Sequence, residues 1–420
     1  MSKQAIHLST VVKAFLLSLV FAALVPAVAF AATTIEPSGD TSGTSDRKSI
    51  QAAIDSGDTV VLQSGATYYT DANLKVKSGT TIEATGATII CVKEKSGAFR
   101  NQVKEGCYNY NSCVGVKVTG GYWKHVNPNG YQASLIQFTH ASNITFKDLT
   151  AEGSFNHHAV EFIACKNVTM DGCTVKAVGK GKSTSAEESV QFDIATPKSA
   201  PTVLKNYGSK AVNGQVCQDI KVNNCKIMGS RGLTTNKPHG SVVDKYGNCH
   251  KNITITNSTI IGTTSEAVAL FNAVGKINVS NNTIASYSTR TGVAYSAGLH
   301  IALFGKKITK TTGKSIKATI KNNTIKGGRQ GMFIYSHAPK ARMGTFTVTN
   351  NKGYAKKGKN MALVNNAGYG ATKYKASKNK TYKWATKTAN AEKTKVLATF
   401  YATVAAQSSS LKAASSAAIA

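Results

Sequence analysis

The chain has 420 residues, with 51 Lys+Arg against 20 Asp+Glu for a formal charge of +31; 41% of its residues are hydrophobic and 17% charged. That much apolar material excludes wholesale disorder, and 36 glycines with only 7 prolines fit neither a collagenous rod nor a proline-rich linker. The charge asks for a partner that tolerates or wants positive charge.

Residues 1–31 read as a signal peptide. Lys3 and Lys13 precede an apolar run from Ala14 to Ala31, and the small residues Ala29 and Ala31 suit a signal-peptidase site. No other stretch is long and apolar enough to span a bilayer. The expectation is a secreted or cell-surface, cell-wall-associated chain with no membrane span after cleavage. Residues 32–366 then form one domain.

It starts with DRKSIQAAID, Asp46 to Asp55, a short amphipathic helix with Ile50 and Ile54 on one face. TVVLQSGATYY from Thr59 and NLKVKSGTTIEATGATII from Asn73 follow as short strands broken by glycine.

From Ile144 onward, seven segments align without gaps on an eight-residue frame. They are ITFKDLTA (Ile144), VTMDGCTV (Val168), IKVNNCKI (Ile220), ITITNSTI (Ile253), INVSNNTI (Ile277), ATIKNNTI (Ala318) and FTVTNNKG (Phe346). Starts lie 24 to 52 residues apart, as a coil of about 24 residues with insertions predicts for a β-solenoid. Positions one and three are apolar at the period of a strand. Position five reads Asp148, Gly172, Asn224, Asn257, Asn281, Asn322, Asn350, residues that tolerate a left-handed bend and, as amides, can bond into a ladder. A second strand follows most frames, as in AVEFIA, SVQFDIA, AVALFNA, GLHIALF and GMFIYSH. It sets Val160, Val190, Val268, Leu299 and Met332 in one inward column and Phe162, Phe192, Leu270, Ile301 and Ile334 in the next. Each coil exposes a stripe that only its neighbours can cover.

The opening helix, glycine-broken strands and Asn column resemble the right-handed parallel β-helix superfamily of pectate lyases and polygalacturonases, over residues 36–366. The resemblance implies an all-β, right-handed parallel β-helix whose short N-terminal helix caps the first coil. It speaks to fold more than to reaction, since one scaffold carries many chemistries.

Eight cysteines in an exported chain raise the question of disulfides. Cys173 and Cys225 share a frame position, and Cys165 and Cys217 each precede their frames by three residues. Coils about 4.8 Å apart suit either disulfides or stacked free thiols. Cys107 and Cys113 are spaced to close a small loop. Nothing resembles a zinc framework.

The chemistry is expected on the outward face. Val and Phe pointing inward leave Glu161 and Gln191 outward and side by side, with Asp193 two residues further along. His158, Glu187 and Glu188 lie just before these strands; Arg231 and His239 follow on the next coil, and His300 and Tyr335 further along the face. One coil step and two residues separate Glu161 from Asp193 by roughly 8 Å at Cα. Glycoside hydrolysis needs one carboxylic acid for the leaving oxygen and one carboxylate as base or nucleophile, and this spacing lies in the inverting window. Glu161, Glu188 and Asp193 are the catalytic candidates; His158, Glu187, Gln191, Arg231, His239, His300 and Tyr335 are the substrate-binding ones. Solvated loop acids, satisfied turn histidines and groove lining are the plainer readings of the same residues.

The order of these groups resembles that of polygalacturonases, which carry Asn-Thr-Asp, Asp-Asp and Gly-His-Gly turns and an Arg-x-Lys strand on successive coils. Phe155-Asn156-His157-His158, Glu187-Glu188 and Lys237-Pro238-His239-Gly240 stand in the first three places. Glu replaces Asp, the first turn lacks an acid and Arg-x-Lys is absent, so the resemblance carries over the location of the site and not the reaction.

The leading expectation is a secreted glycoside hydrolase acting on a polysaccharide, which the charge predicts to be acidic, without cofactor. A polysaccharide lyase or epimerase acting on a uronate polymer, a lyase with calcium as its cofactor, is the alternative enzyme; a non-catalytic adhesive solenoid is the alternative outside enzymology. No nucleic-acid partner is expected, because charge alone supports it. Residues 367–420, basic and then Ala/Ser-rich, read as a cap or tail suited to anionic cell-wall polymers.

Overall fold

A computed structural model describes residues 32–127, 133–154, 157–178, 188–235, 247–290, 296–366 and 368–399. The proposed signal peptide, Glu187 and His239 lie outside them. Each repeat is one coil of three strands, as in Ala141–Lys147, Thr150–Ser154 and Val160–Ile163. The seven frames pair in parallel in the register of their alignment: Ile144, Val168, Ile220, Ile253, Ile277, Ala318 and Phe346 are successive partners. The first two strands of every coil belong to one 21-stranded sheet, because the long strands Thr81–Cys91 and Cys113–His125 run through both faces. The third strands form a separate ten-stranded sheet. This is the right-handed parallel β-helix.

The bend between the first two faces has a local cause. Asp148, Asn224, Asn257, Asn281, Asn322 and Asn350 all sit at φ between 51° and 61°, and Gly172 at 68°. Asn and Gly meet this left-handed backbone at low steric cost, which is why position five excludes branched residues. Part of the column bonds as a ladder: Asn350 Nδ2 donates to Asn322 Oδ1 at 2.8 Å, and Asn322 Nδ2 to Asn281 Oδ1 at 3.0 Å.

A second ladder runs inside the first, at frame position six. Asn282, Asn323 and Asn351 are buried, and each passes an amide hydrogen to the next, ending on Asn379 at 3.0 Å. Asn323 also donates to the Val279 carbonyl at 2.8 Å and accepts from the Asn282 backbone at 2.9 Å. Asn323→Ala is expected to lower the unfolding free energy by about 3 kcal/mol, because it strands several buried polar groups at once. An unchanged urea midpoint would show that the inner ladder contributes nothing.

In the ten-stranded sheet Val160, Val190, Leu233, Val268, Leu299 and Met332 are successive partners, all buried. Phe162 stacks on Phe192 at 5.2 Å between centroids and on Phe138 at 6.1 Å. The helix Thr44–Ser56 buries Ile50, Ala53 and Ile54 and ends at Gly57, which takes φ 92°. All eight cysteines are free thiols, so stacking and not cross-linking is what their register provides. Cys165 N–H donates to Cys217 Sγ at 3.2 Å, and burial pushes the Cys165 thiol up to about 12.

The stack continues past residue 366. Ala371–Ser377 pairs with Met343–Thr349, and Lys380–Lys383 with Lys352–Ala355. Lys378 takes position five at φ 56° and Asn379 the inner ladder, so the basic segment begins as one more coil; residues 386–399 are helical. Lysine at the bend, where asparagine, aspartate or glycine stands in the seven frames, is what hides this coil in the sequence.

Candidate functional site

The outer side of the ten-stranded sheet carries Glu161, Gln191 and Asp193. Glu161 lies between Gln137 and Gln191 in register, and Asp193 is the partner of Ile163. Because Val160 and Phe162 fill the core, Glu161 faces away from it. Its Oε2 accepts from Gln137 Nε2 at 2.7 Å and from Ser134 Oγ at 2.9 Å, and His158 Nε2 lies 4.0 Å from Oε1. Glu161 lines a cavity of about 380 Å³ together with Ser134, Gln137, His158 and the cations Lys95, Arg100 and Lys198.

One wall of this cavity is an insertion that follows Asp193. The helix Pro201–Tyr207 buries Val203 in a small apolar cluster with Val103, Ile163 and Ala200, and Tyr207 Oη donates to the Val103 carbonyl at 2.7 Å. His140 ties down the far end of the insertion through Gln215 at 2.8 Å and the Ala211 carbonyl at 2.7 Å.

Asp193 accepts from Gln191 Nε2 at 2.7 Å and is only partly exposed. Burial, then the neighbouring charge of Glu161, push its carboxyl up to about 7, against the pull of His158 and Gln191. The folded chain therefore binds more protons than the unfolded one between about 3.8 and about 7. The stability that this proton contributes is present below that window and lost as pH rises through it. Asp193→Asn is thus expected to raise the melting temperature relative to the parent above about pH 7 and to leave it little changed below about pH 4. Thermal melts across this range check the sign.

The second catalytic candidate, Glu188, is fully buried in a column of alternating charge. Arg231 Nη1 lies 2.5 Å from Glu188 Oε1, and Arg231 Nε 2.9 Å from Glu266 Oε2. His300 Nδ1 closes on Glu266 Oε1 at 3.3 Å, and Ser265 Oγ donates to Glu266 Oε2 at 2.5 Å. Burial opposes the Arg231 charge, but Glu266 and Glu188 offset it and hold the guanidinium above its ordinary pKa. Burial likewise raises Glu266, yet Arg231 and His300 bring it down to about 2. His158 links Glu188 to the cavity: its Nδ1 lies 3.0 Å from the Glu188 carbonyl oxygen and 3.6 Å from Oε2.

The structure therefore brings together Glu161, Asp193, His158 and Gln191, with Glu188 and Arg231 behind them. His300 lies three coils beyond Gln191, about 14 Å, and Tyr335 four coils beyond Asp193, about 19 Å. Sequence reasoning missed Ser134, Gln137 and Glu266. All three were findable: SLIQFT (Ser134–Thr139) and EAVALF (Glu266–Phe271) repeat the pattern of HAVEFI (His158–Ile163). Lys95, Arg100 and Lys198 carry no such signal. Among the described residues no three His, Cys, Asp or Glu side chains converge to hold a metal ion.

No protein-family model and no curated protein matches the sequence. Solved structures do. The endo-xylogalacturonan hydrolase of Aspergillus tubingensis is 13% identical, covering 84% of this chain and 93% of its own, with a TM-score of 0.45. The family 28 exopolygalacturonase of Yersinia enterocolitica is 12% identical over 83% of this chain and 76% of its own, TM-score 0.45. The surface adhesin PfbA of Streptococcus pneumoniae is 17% identical over 80% and 89%, TM-score 0.44. What this chain has in common with them is the coil architecture that its own strand registers establish, that of a parallel β-helix protein.

Proposed function

We propose that the chain is a secreted, polysaccharide-active glycoside hydrolase of polygalacturonase-like type, with Asp193 as general acid and Glu161 as general base. One observation carries this reading: a carboxylate lining a cavity, with a second on the next coil, two residues on and raised to about 7. Asp193, protonated, gives its proton to the glycosidic oxygen as the bond to the anomeric carbon breaks. Glu161 takes a proton from the water that attacks that carbon from the opposite face. Their Cα offset of roughly 8 Å leaves room for this water and supports inversion. Lys95, Arg100 and Lys198 around the cavity support an acidic polymer as substrate. In this reading Glu188 and Arg231 position His158 and do not touch substrate. The exposed Lys373, Lys375 and Lys380 of the last coil support retention on anionic cell-wall polymers.

The test is a screen of the purified chain against acidic and neutral polysaccharides, following reducing ends and ultraviolet absorbance together. New reducing ends without absorbance are expected. Absorbance rising in step with them would replace hydrolysis by elimination, and neither signal would leave a binding protein.

A further inference from the structure

Near the other end of the ten-stranded sheet, the turns after Leu299–Leu303 and Met332–Ser336 carry a connected set of rings. Phe304 and His337 stack at 4.4 Å between centroids and 9° between planes. Tyr335 meets His337 at 4.4 Å and Tyr369 at 5.4 Å, and the buried Phe333 backs Tyr335 at 5.6 Å. Phe304 and Tyr335 are partly exposed, His337 is exposed, and Tyr369 is 56% exposed. Among the described residues only Val126 and Tyr382 are comparably large, apolar and open to solvent. A cluster of rings left partly open to solvent marks a site that something covers.

The surroundings say what kind of molecule this is. The same turns carry the exposed Lys306, Lys307 and Lys340, and no acidic residue occurs anywhere between Glu266 and Glu392. The exposed His337 ring stacks face to face on Phe304. Flat rings accept the C–H face of a pyranose, and the lysines beyond them accept its carboxylate.

We propose that Phe304, Tyr335, His337 and Tyr369 form a second saccharide-binding site, which holds a uronate-bearing segment of polymer about 19 Å along the face from Asp193. This rests on the polysaccharide part of the proposed function and is independent of catalysis at Glu161 and Asp193.

Affinity electrophoresis of the full chain in gels containing polygalacturonate, alginate or neutral arabinoxylan tests it. The acidic polymers are expected to retard the parent chain and the neutral one to do so weakly. Tyr369→Ala combined with His337→Ala is expected to weaken acidic-polymer binding tenfold or more, and Tyr382→Ala, on another face, to leave it unchanged. Should the double variant melt early, Tyr369→Ala alone serves, since that ring is mostly in solvent. Parental affinity in the ring variants would mean that lysine charge alone binds, and would overturn the site. So would preference for the neutral polymer, or binding to none of the three. A chain that hydrolyses but passes these ring tests unchanged loses this proposal alone, and one that binds through the rings without hydrolysing loses only the catalytic reading.

Discussion

Glu161→Gln is expected to lower the hydrolysis rate by about 10²- to 10⁴-fold, the range that a positioned general base contributes. The substitution is close to isosteric. Its amide oxygen can keep the acceptor role that Glu161 Oε2 has toward Gln137 at 2.7 Å and Ser134 at 2.9 Å, so the fold and the cavity are expected to survive. What disappears is the ability to take a proton from water. A second effect follows from the charge. Glu161 is, after burial, the largest cause of the raised Asp193 carboxyl, so its removal moves Asp193 down toward its ordinary range. The general acid is then lost at lower pH, and the alkaline limb of the residual activity shifts in that direction. Rates measured across pH on the polymer identified by the screen check both effects. Retention of more than about a tenth of the parental rate would remove Glu161 from the role of base.

Arg231→Ala is expected to cost about 3–5 kcal/mol of stability, the largest structural effect at the site. Glu188 and Glu266 lie on either side of Arg231, both fully buried, and the guanidinium is within 2.9 Å of each. Removing it leaves two carboxylates facing each other in a medium that screens them poorly. The loss belongs to the stranded charges and not to the pair as such. The triple variant Glu188→Gln, Arg231→Met, Glu266→Gln is therefore expected to regain most of the stability. Urea unfolding of the three proteins separates the cases. If Arg231→Ala unfolds at the parental midpoint, the charge column is not what holds Arg231, Glu188 and Glu266 in place. A triple variant that is stable but slow on substrate would support the positioning role of Glu188 through His158, whose ring is anchored by the Glu188 backbone carbonyl at 3.0 Å.

The two predictions divide carboxylates that look alike in sequence. Glu188-Ser-Val and Glu161-Phe-Ile offer the same residue type on neighbouring coils, but Glu188 lies two residues before the core residue Val190 and Glu161 one residue after the core residue Val160. Glu161 opens onto a cavity because the partner on one side is Gln137, which hydrogen-bonds it without neutralising it. Glu188 is closed off because its partner on the next coil is Arg231, which does neutralise it. Strand parity sets which side each carboxylate faces, and its hydrogen-bond partners come from residues 24 to 43 positions away.

The amino-acid order by itself determined the winding. Apolar residues at strand period and Asn or Gly at one bend position specify a coil whose stripe is covered only by its neighbours, and register follows because a slip of one residue would turn every side chain to the wrong face. It also placed Glu161, Gln191 and Asp193 together, since these lie on strands that the alignment already paired. Tertiary structure alone decided that Glu188, Arg231 and the buried His300 are sealed into one charge column, that the insertion after Asp193 forms a cavity wall, and that Tyr335 belongs to a different stretch of the face. Those outcomes depend on how many coils intervene and on what each insertion packs against. Both are long-range properties that a local pattern of side chains does not contain.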